Sequence, residues 1–98
     1  MDGGIVMEHN PLMSFNDGLE ITYSDLKHNN GEDYIILYFE KPNGKESGFN
    51  SAKLKYPGNT FSEVNGFNES EMEELMKHAA KTAPLALEFS KEDSVAEV

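Results

Sequence analysis

Six consecutive residues, Tyr34-Ile35-Ile36-Leu37-Tyr38-Phe39, carry only aromatic, β-branched or aliphatic side chains. Such a run suits a pleated backbone. Because it is apolar on both faces, it belongs in the middle of a sheet, covered on one side and partly shielded on the other. It follows Asn29-Asn30-Gly31, and an Asn-Gly step supplies both positive-φ positions of a type I′ hairpin turn. A central strand entered through a tight hairpin commits the chain to antiparallel pairing. Upstream, Leu19, Ile21 and Tyr23 alternate with Glu20, Thr22 and Ser24, the period of a half-buried strand. The phase slips after Ser24, where Leu26 becomes the next apolar position, so a β-bulge is expected near Ser24 or Asp25.

The remaining punctuation extends this sheet. Residues 11–15 read as a first strand, turned by Asn16-Asp17-Gly18. Lys41-Pro42-Asn43-Gly44 reads as a turn, with Pro42 presetting its first central position. The next strand, residues 47–56, places Ala52, Leu54 and Tyr56 on one face and Lys53 and Lys55 on the other. Pro57-Gly58-Asn59 then reads as the end of the sheet. Phe61, Val64 and Phe67 punctuate a polar connection expected to lie over the sheet's edge.

The helix start is specified to the residue. Asn68 is a good N-cap, Glu71 stands three positions on as in a capping box, and Phe67 and Met72 take the staple positions. Acids crowd the first turns, with Lys77, His78 and Lys81 following, as the helix dipole favours. Met72, Leu75, Met76, Ala79, Ala80 and Ala83 recur at helical spacing. Pro84 implies either a kink or a second short helix beginning there. The expected architecture is α+β: a four-stranded antiparallel meander with an amphipathic C-terminal helix, kinked or split at Pro84, packed on one face. Residues 1–9 read as a flexible leader, 10–91 as one domain and 92–98 as an acidic flexible tail.

Charge excludes several function classes. The chain has 18 acids and 8 lysines, no arginine, and a formal net charge of −10. Arginine provides the planar fork that grips phosphates and base edges, and nucleic-acid binders normally carry a basic patch. Lys41, Lys45, Lys53 and Lys55 are interleaved with Glu40 and Glu46, which reads as a solvated sheet edge. The same balance argues against an anionic membrane surface. Without cysteine there is no disulfide, thiolate zinc site or cysteine nucleophile. A reducing cytoplasm suits such a chain. No secretory leader is legible in the first residues, and no run approaches the ~20 apolar residues that span a bilayer.

No residue stands out as catalytic, cofactor-binding or metal-ligating. His9, His28 and His78 fall in no ligand spacing. His28 has Asp25, Glu32 and Asp33 near it, which reads more simply as an exposed turn than as a cation site. His78 follows Glu74 by one helical turn, a spacing worth a few tenths of a kcal/mol. Glu63, Glu69, Glu71, Glu73 and Glu74 form the densest acidic group, and helix capping accounts for it. Nucleophile elbows, phosphate loops and calcium loops are absent. Tyr23, Tyr34, Tyr38 and Phe39 could form a stacking platform for single-stranded RNA, but the basic surroundings are missing and sheet core explains them better.

The order Phe15-Asn16-Asp17-Gly18-Leu19-Glu20-Ile21, then Ser51-Ala52-Lys53-Leu54, then Asn65-Gly66-Phe67 before Glu71-Met72, closing with residues 85–89, resembles a family of short bacterial proteins of unassigned activity encoded near toxin–antitoxin-like gene pairs. The likeness covers most of residues 10–92 as a pattern. The family's Pro-Pro-His-x-His-like step is replaced here by Asn30-Gly31-Glu32-Asp33-Tyr34-Ile35, so no histidine role carries over. The resemblance implies a small partner-binding protein.

The functional expectation is a non-enzymatic protein–protein interaction module of the cytoplasm, with no cofactor, metal, nucleic acid or membrane partner. A homodimer through an edge strand is a second arrangement such a meander permits. The alternative function is an acidic inhibitor that occupies the basic groove of a nucleic-acid-binding protein. The charge is spread: nine acids face five lysines over residues 1–58, and nine face three over residues 59–98.

Overall fold

A computed structural model describes residues 10–44 and 48–96, with side chains described through residue 92. The expected leader, residues 1–9 with His9, lies outside the described residues, as do Lys45 and Glu46. The chain forms an antiparallel sheet of six strands and one C-terminal helix: β1 Asn10–Ser14, β2 Glu20–Tyr23, β3 Lys27–Asn29, β4 Glu32–Pro42, β5 Phe49–Tyr56, β6 Thr60–Asn65 and α1 Glu69–Ala96. The spatial order is β1-β2-β4-β5-β6, with β3 also paired to β4. β3 takes the Glu32–Tyr34 end of β4 and β2 takes the far end. The α+β class and the meander hold, while the expected four strands become six.

Two corrections account for the difference. At the phase slip the expected bulge is present, Ser24, Asp25 and Leu26 standing against only Ile35 and Ile36 of β4, and it divides the run into two strands, β2 and β3. Ser24 bridges the gap: its N–H donates to the Ile36 carbonyl at 2.9 Å, and its hydroxyl accepts the Ile36 N–H at 2.9 Å. A side-chain oxygen thus replaces a ladder carbonyl, which a fully buried hydroxyl must do or leave Ile36 unsatisfied. The second correction concerns residues 57–67. Instead of ending the sheet, Pro57-Gly58-Asn59 turns the chain back, and Thr60–Asn65 pairs with β5 as an edge strand. Only Phe61 of β6 reaches the core, its ring 5.9 Å from that of Phe39.

Other expected turns fall close to their places. Asn30 and Gly31 both have positive φ, 53° and 83°. Pro42 lies inside β4 opposite Phe49, so the following turn is carried by Asn43 and Gly44, and Asn43 N–H donates to the Gly48 carbonyl at 3.2 Å. Gly66 joins β6 to the helix at φ 89°, and a Cβ there would collide with the Asn50 amide.

The helix starts as the sequence specifies. The Glu71 N–H donates to Asn68 Oδ1 at 2.8 Å, and the Asn68 N–H donates to Glu71 Oε1 at 2.9 Å. Leu75, Ala79, Ala83 and Ala86, with Thr82 and Ser90, form the buried stripe. It faces Ile21, Ile35, Leu37, Phe39, Ala52 and Leu54 from the sheet. At Ala79, Ala83 and Ala86 the helix contributes only methyl groups to this core, so the sheet's larger side chains pack against the helix backbone there. Thr82 and Ser90 satisfy their hydroxyls within the helix, on the His78 and Leu87 carbonyls.

Pro84 neither splits nor ends α1, which runs on to Ala96 through residues expected to form a tail. Its missing N–H deprives the Ala80 carbonyl of a partner, and both residues face solvent, where water can take that carbonyl. No helix among the described residues is long and apolar enough to cross a membrane.

Candidate interaction face

Alternation along the strands, fixed by the core set, places a second group of side chains on the sheet face that α1 does not cover. In register, Glu20 stands opposite Glu40, Thr22 opposite Tyr38, and Lys27 opposite Tyr34. On the other side of β4, Lys53 stands opposite Tyr38, Lys55 opposite Ile36, and Ser51 opposite Glu40. This corrects two expectations. Tyr23 and Phe39 are buried in the core, but Tyr34 and Tyr38 are half-buried on the open face. Lys53 and Lys55 are on no edge: β5 is an inner strand, and both ammonium groups lie over tyrosine rings, Lys55 at 4.7 Å from the Tyr34 centroid and Lys53 at 5.7 Å from that of Tyr38. The lysine stems therefore shield the aromatic rings on a side with no helix.

A bulge in β6 brings one more group to this face. Between the pairs Lys53–Ser62 and Ser51–Asn65, β6 has one residue more than β5, and Glu63 takes the left-handed region at φ 51°. The extra residue reverses the local alternation and re-aims a side chain. The Glu63 carboxylate stands 3.2 Å from the Lys53 ammonium. Tyr38, Glu40, Ser51, Lys53, Glu63 and Asn65 then line a groove of about 300 Å³. Sequence reasoning grouped Glu63 with the helix-start acids. The structure separates it from them, and no sequence signal marked the bulge.

The remaining candidates are scattered. His28 Nδ1 lies 2.6 Å from Asp33 Oδ1 at the exposed hairpin tip, and no other carboxylate joins them: among the described residues no cluster of three metal-ligating side chains occurs. The His78 ring lies against Phe15, centroids 4.5 Å apart, while Glu74 pairs with Lys77 at 3.7 Å. A smaller cavity of about 110 Å³ beside His78 is lined by Asp17, Leu19, Lys41, Phe67, Glu71, Glu74 and Leu75. Asp17 accepts the Leu19 N–H at 3.1 Å and meets Lys41 at 3.3 Å. The Leu19 hydrogen bond, then Lys41, holds its carboxyl below the usual value of 3.8. These contacts tie the first hairpin to β4.

Both sheet edges are irregular. β1 carries Pro11 and a register shift between Pro11 and Met13, and β6 carries the Glu63 bulge. Proline and bulges at edges disfavour the addition of another strand. Comparison with protein-family models, curated proteins and solved structures finds no match to this chain.

Proposed function

We propose that the protein is a non-enzymatic interaction module that meets a protein partner through the open face of its sheet. The observation that carries this reading is the asymmetry of the two faces. One is sealed by α1, while the other leaves Tyr34, Ile36 and Tyr38 half-exposed beside a groove. Partly exposed aromatics framed by charged side chains are the composition of an interface centre with a polar rim. The irregular edges favour this face over an edge-paired homodimer. A cysteine-free, acidic chain of this kind suits work in the cytoplasm, and the resemblance to a family of short bacterial proteins of unassigned activity implies a partner-binding role.

The test is affinity capture with the full chain from a lysate at low and moderate salt, run beside an Ile36→Glu variant. Ile36 is only half-buried and stands on the open face, so a charge there should spoil a partner surface without emptying the core. A protein retained by the parent at both salts and lost by the variant is the expected result. Equal capture by both would remove the open face from the reading. The acidic-inhibitor reading draws on the exposed Glu69, Glu73 and Glu74 of the helix start. It predicts basic nucleic-acid enzymes that are released at moderate salt.

A further inference from the structure

We infer that Asn30 and Gly31 form a self-modifying site: the Gly31 amide nitrogen attacks the Asn30 side chain, and the isoaspartate that results releases β3 from β4. This goes beyond the interaction reading and does not depend on it.

The chemistry needs only water. The Gly31 nitrogen, deprotonated by hydroxide, forms a bond to Asn30 Cγ. The Cγ–Nδ2 bond breaks, and the amide group leaves as ammonia, taking a proton from water and returning the hydroxide. Water then opens the cyclic imide at either carbonyl. Opening at Cγ gives aspartate, while opening at the main-chain carbonyl reroutes the backbone through the side chain as isoaspartate. Nothing is oxidised or reduced. A following glycine favours the attack, because no Cβ crowds its nitrogen.

The chain has three Asn-Gly steps, at Asn30, Asn43 and Asn65, and the structure separates them. Asn43 is held at both ends: its N–H donates to the Gly48 carbonyl at 3.2 Å and its side chain donates to Asn50 Oδ1 at 3.4 Å. The Asn65 side chain donates to the Glu63 carbonyl at 3.4 Å, its backbone pairs with Ser51, and Gly66 is pressed against the Asn50 amide. The Asn30 side chain is exposed and makes no hydrogen bond or ion pair among the described residues. Gly31 faces open space.

The attack also requires rotation out of the tight turn, where φ is 53° at Asn30 and 83° at Gly31. β3 offers little resistance to that rotation. It has three residues, none of them buried, and pairs with β4 only from Lys27–Tyr34 to Asn29–Glu32. The tip can therefore open without exposing the core. Asn65, by contrast, stands where β6 passes into the capped helix start. Aspartate at Asn30 would keep the hairpin, since Asp-Gly suits the same turn. Isoaspartate adds a methylene to the main chain of a two-residue loop whose length fixes the register. The pairs of Lys27, His28 and Asn29 with Tyr34, Asp33 and Glu32 are then lost.

The test incubates the full chain in isotope-labelled water at mildly alkaline pH and maps its peptides by mass spectrometry, with isoaspartate scored by enzymatic carboxyl methylation. Asn30 should convert about tenfold faster than Asn43 or Asn65 in the folded protein. The three rates should converge in urea, where only the shared Asn-Gly sequence acts. Equal or faster conversion at Asn43 or Asn65 in the folded protein, or a difference that persists in urea, would overturn the assignment. The isoaspartate form, isolated by chromatography, should lose the cross-strand nuclear Overhauser contacts between residues 27–29 and 32–34 while those of α1 remain. Asn30→Asp, which adds the same charge with a normal main chain, should keep them. A hairpin retained in the isoaspartate form, or lost equally in Asn30→Asp, would overturn the release of β3.

Discussion

Replacing Asn68 by alanine removes one half of a reciprocal pair, and the size of the loss can be worked out in advance. In the native helix the Asn68 amide oxygen accepts the Glu71 N–H, and the Glu71 carboxylate accepts the Asn68 N–H. Both are main-chain donors with no partner inside the helix. Loss of an N-cap side chain costs about 1 kcal/mol, within a range of roughly 0.5–2. At about 2.1 cal/mol/K of unfolding entropy per residue, a chain of this length has about 0.2 kcal/mol/K, so 1 kcal/mol corresponds to a melting shift of about 5 °C. Glu71→Ala should cost less, roughly 0.5 kcal/mol, because it removes a bond to a solvent-accessible donor and one favourable dipole charge. The two side chains act as a unit, so the double variant should lose less than the two single losses together, by a few tenths of a kcal/mol. Urea melts of the four proteins, followed by circular dichroism, measure all three quantities. An Asn68→Ala loss below about 0.3 kcal/mol with an unchanged denaturant slope would show that the cap does not stabilise the helix start. Strict additivity would refute the reciprocity.

Three further outcomes follow from the packing and electrostatics. Leu54→Ala, at a fully buried position between Leu37 and Phe61, should cost about 2–5 kcal/mol in denaturant melts. Ala83→Leu should cost about 1–3 kcal/mol by forcing helix and sheet apart; a neutral result would mean that the layers are less closely packed than described. Asp17 has its carboxyl held below 3.8, first by the Leu19 N–H and then by Lys41. Its stabilising contribution is therefore present above that value and is lost as pH falls through the lower folded value. Asp17→Asn should flatten the acid limb of the stability–pH curve and leave its shape near neutrality unchanged, as read by melting temperature across pH.

Features with local causes were legible in the sequence. Asn30-Gly31 takes its turn geometry because few other residues accept two successive positive φ values, and Asn68 with Glu71 caps the helix because the spacing alone brings them together. β6 escaped notice because an edge strand needs only one buried side chain. Phe61 supplies it, and the bulge at Glu63 then breaks the alternation that would have betrayed the rest. The helix passes through Pro84 for a reason the local sequence conceals: the carbonyl left unpaired happens to face water. The candidate surface was the least legible part. In a strand that is apolar on both faces, Tyr34 and Tyr38 carry the same signal as Ile35 and Phe39, and only register decides which pair meets the helix. The lysines of β5 held the clue, since Lys53 and Lys55 must share a face with whatever stands opposite them.

The irregular edges shape the kind of recognition open to this protein. A partner that joins a sheet at its edge is held by main-chain hydrogen bonds, which any extended sequence can offer. A partner lying across the face must present side chains to side chains. With Pro11 obstructing one rim and Glu63 distorting the other, the sheet discourages indiscriminate β-strand company. Whatever binds would be chosen by its residues, so a single substitution in the partner could end the association as completely as a substitution here.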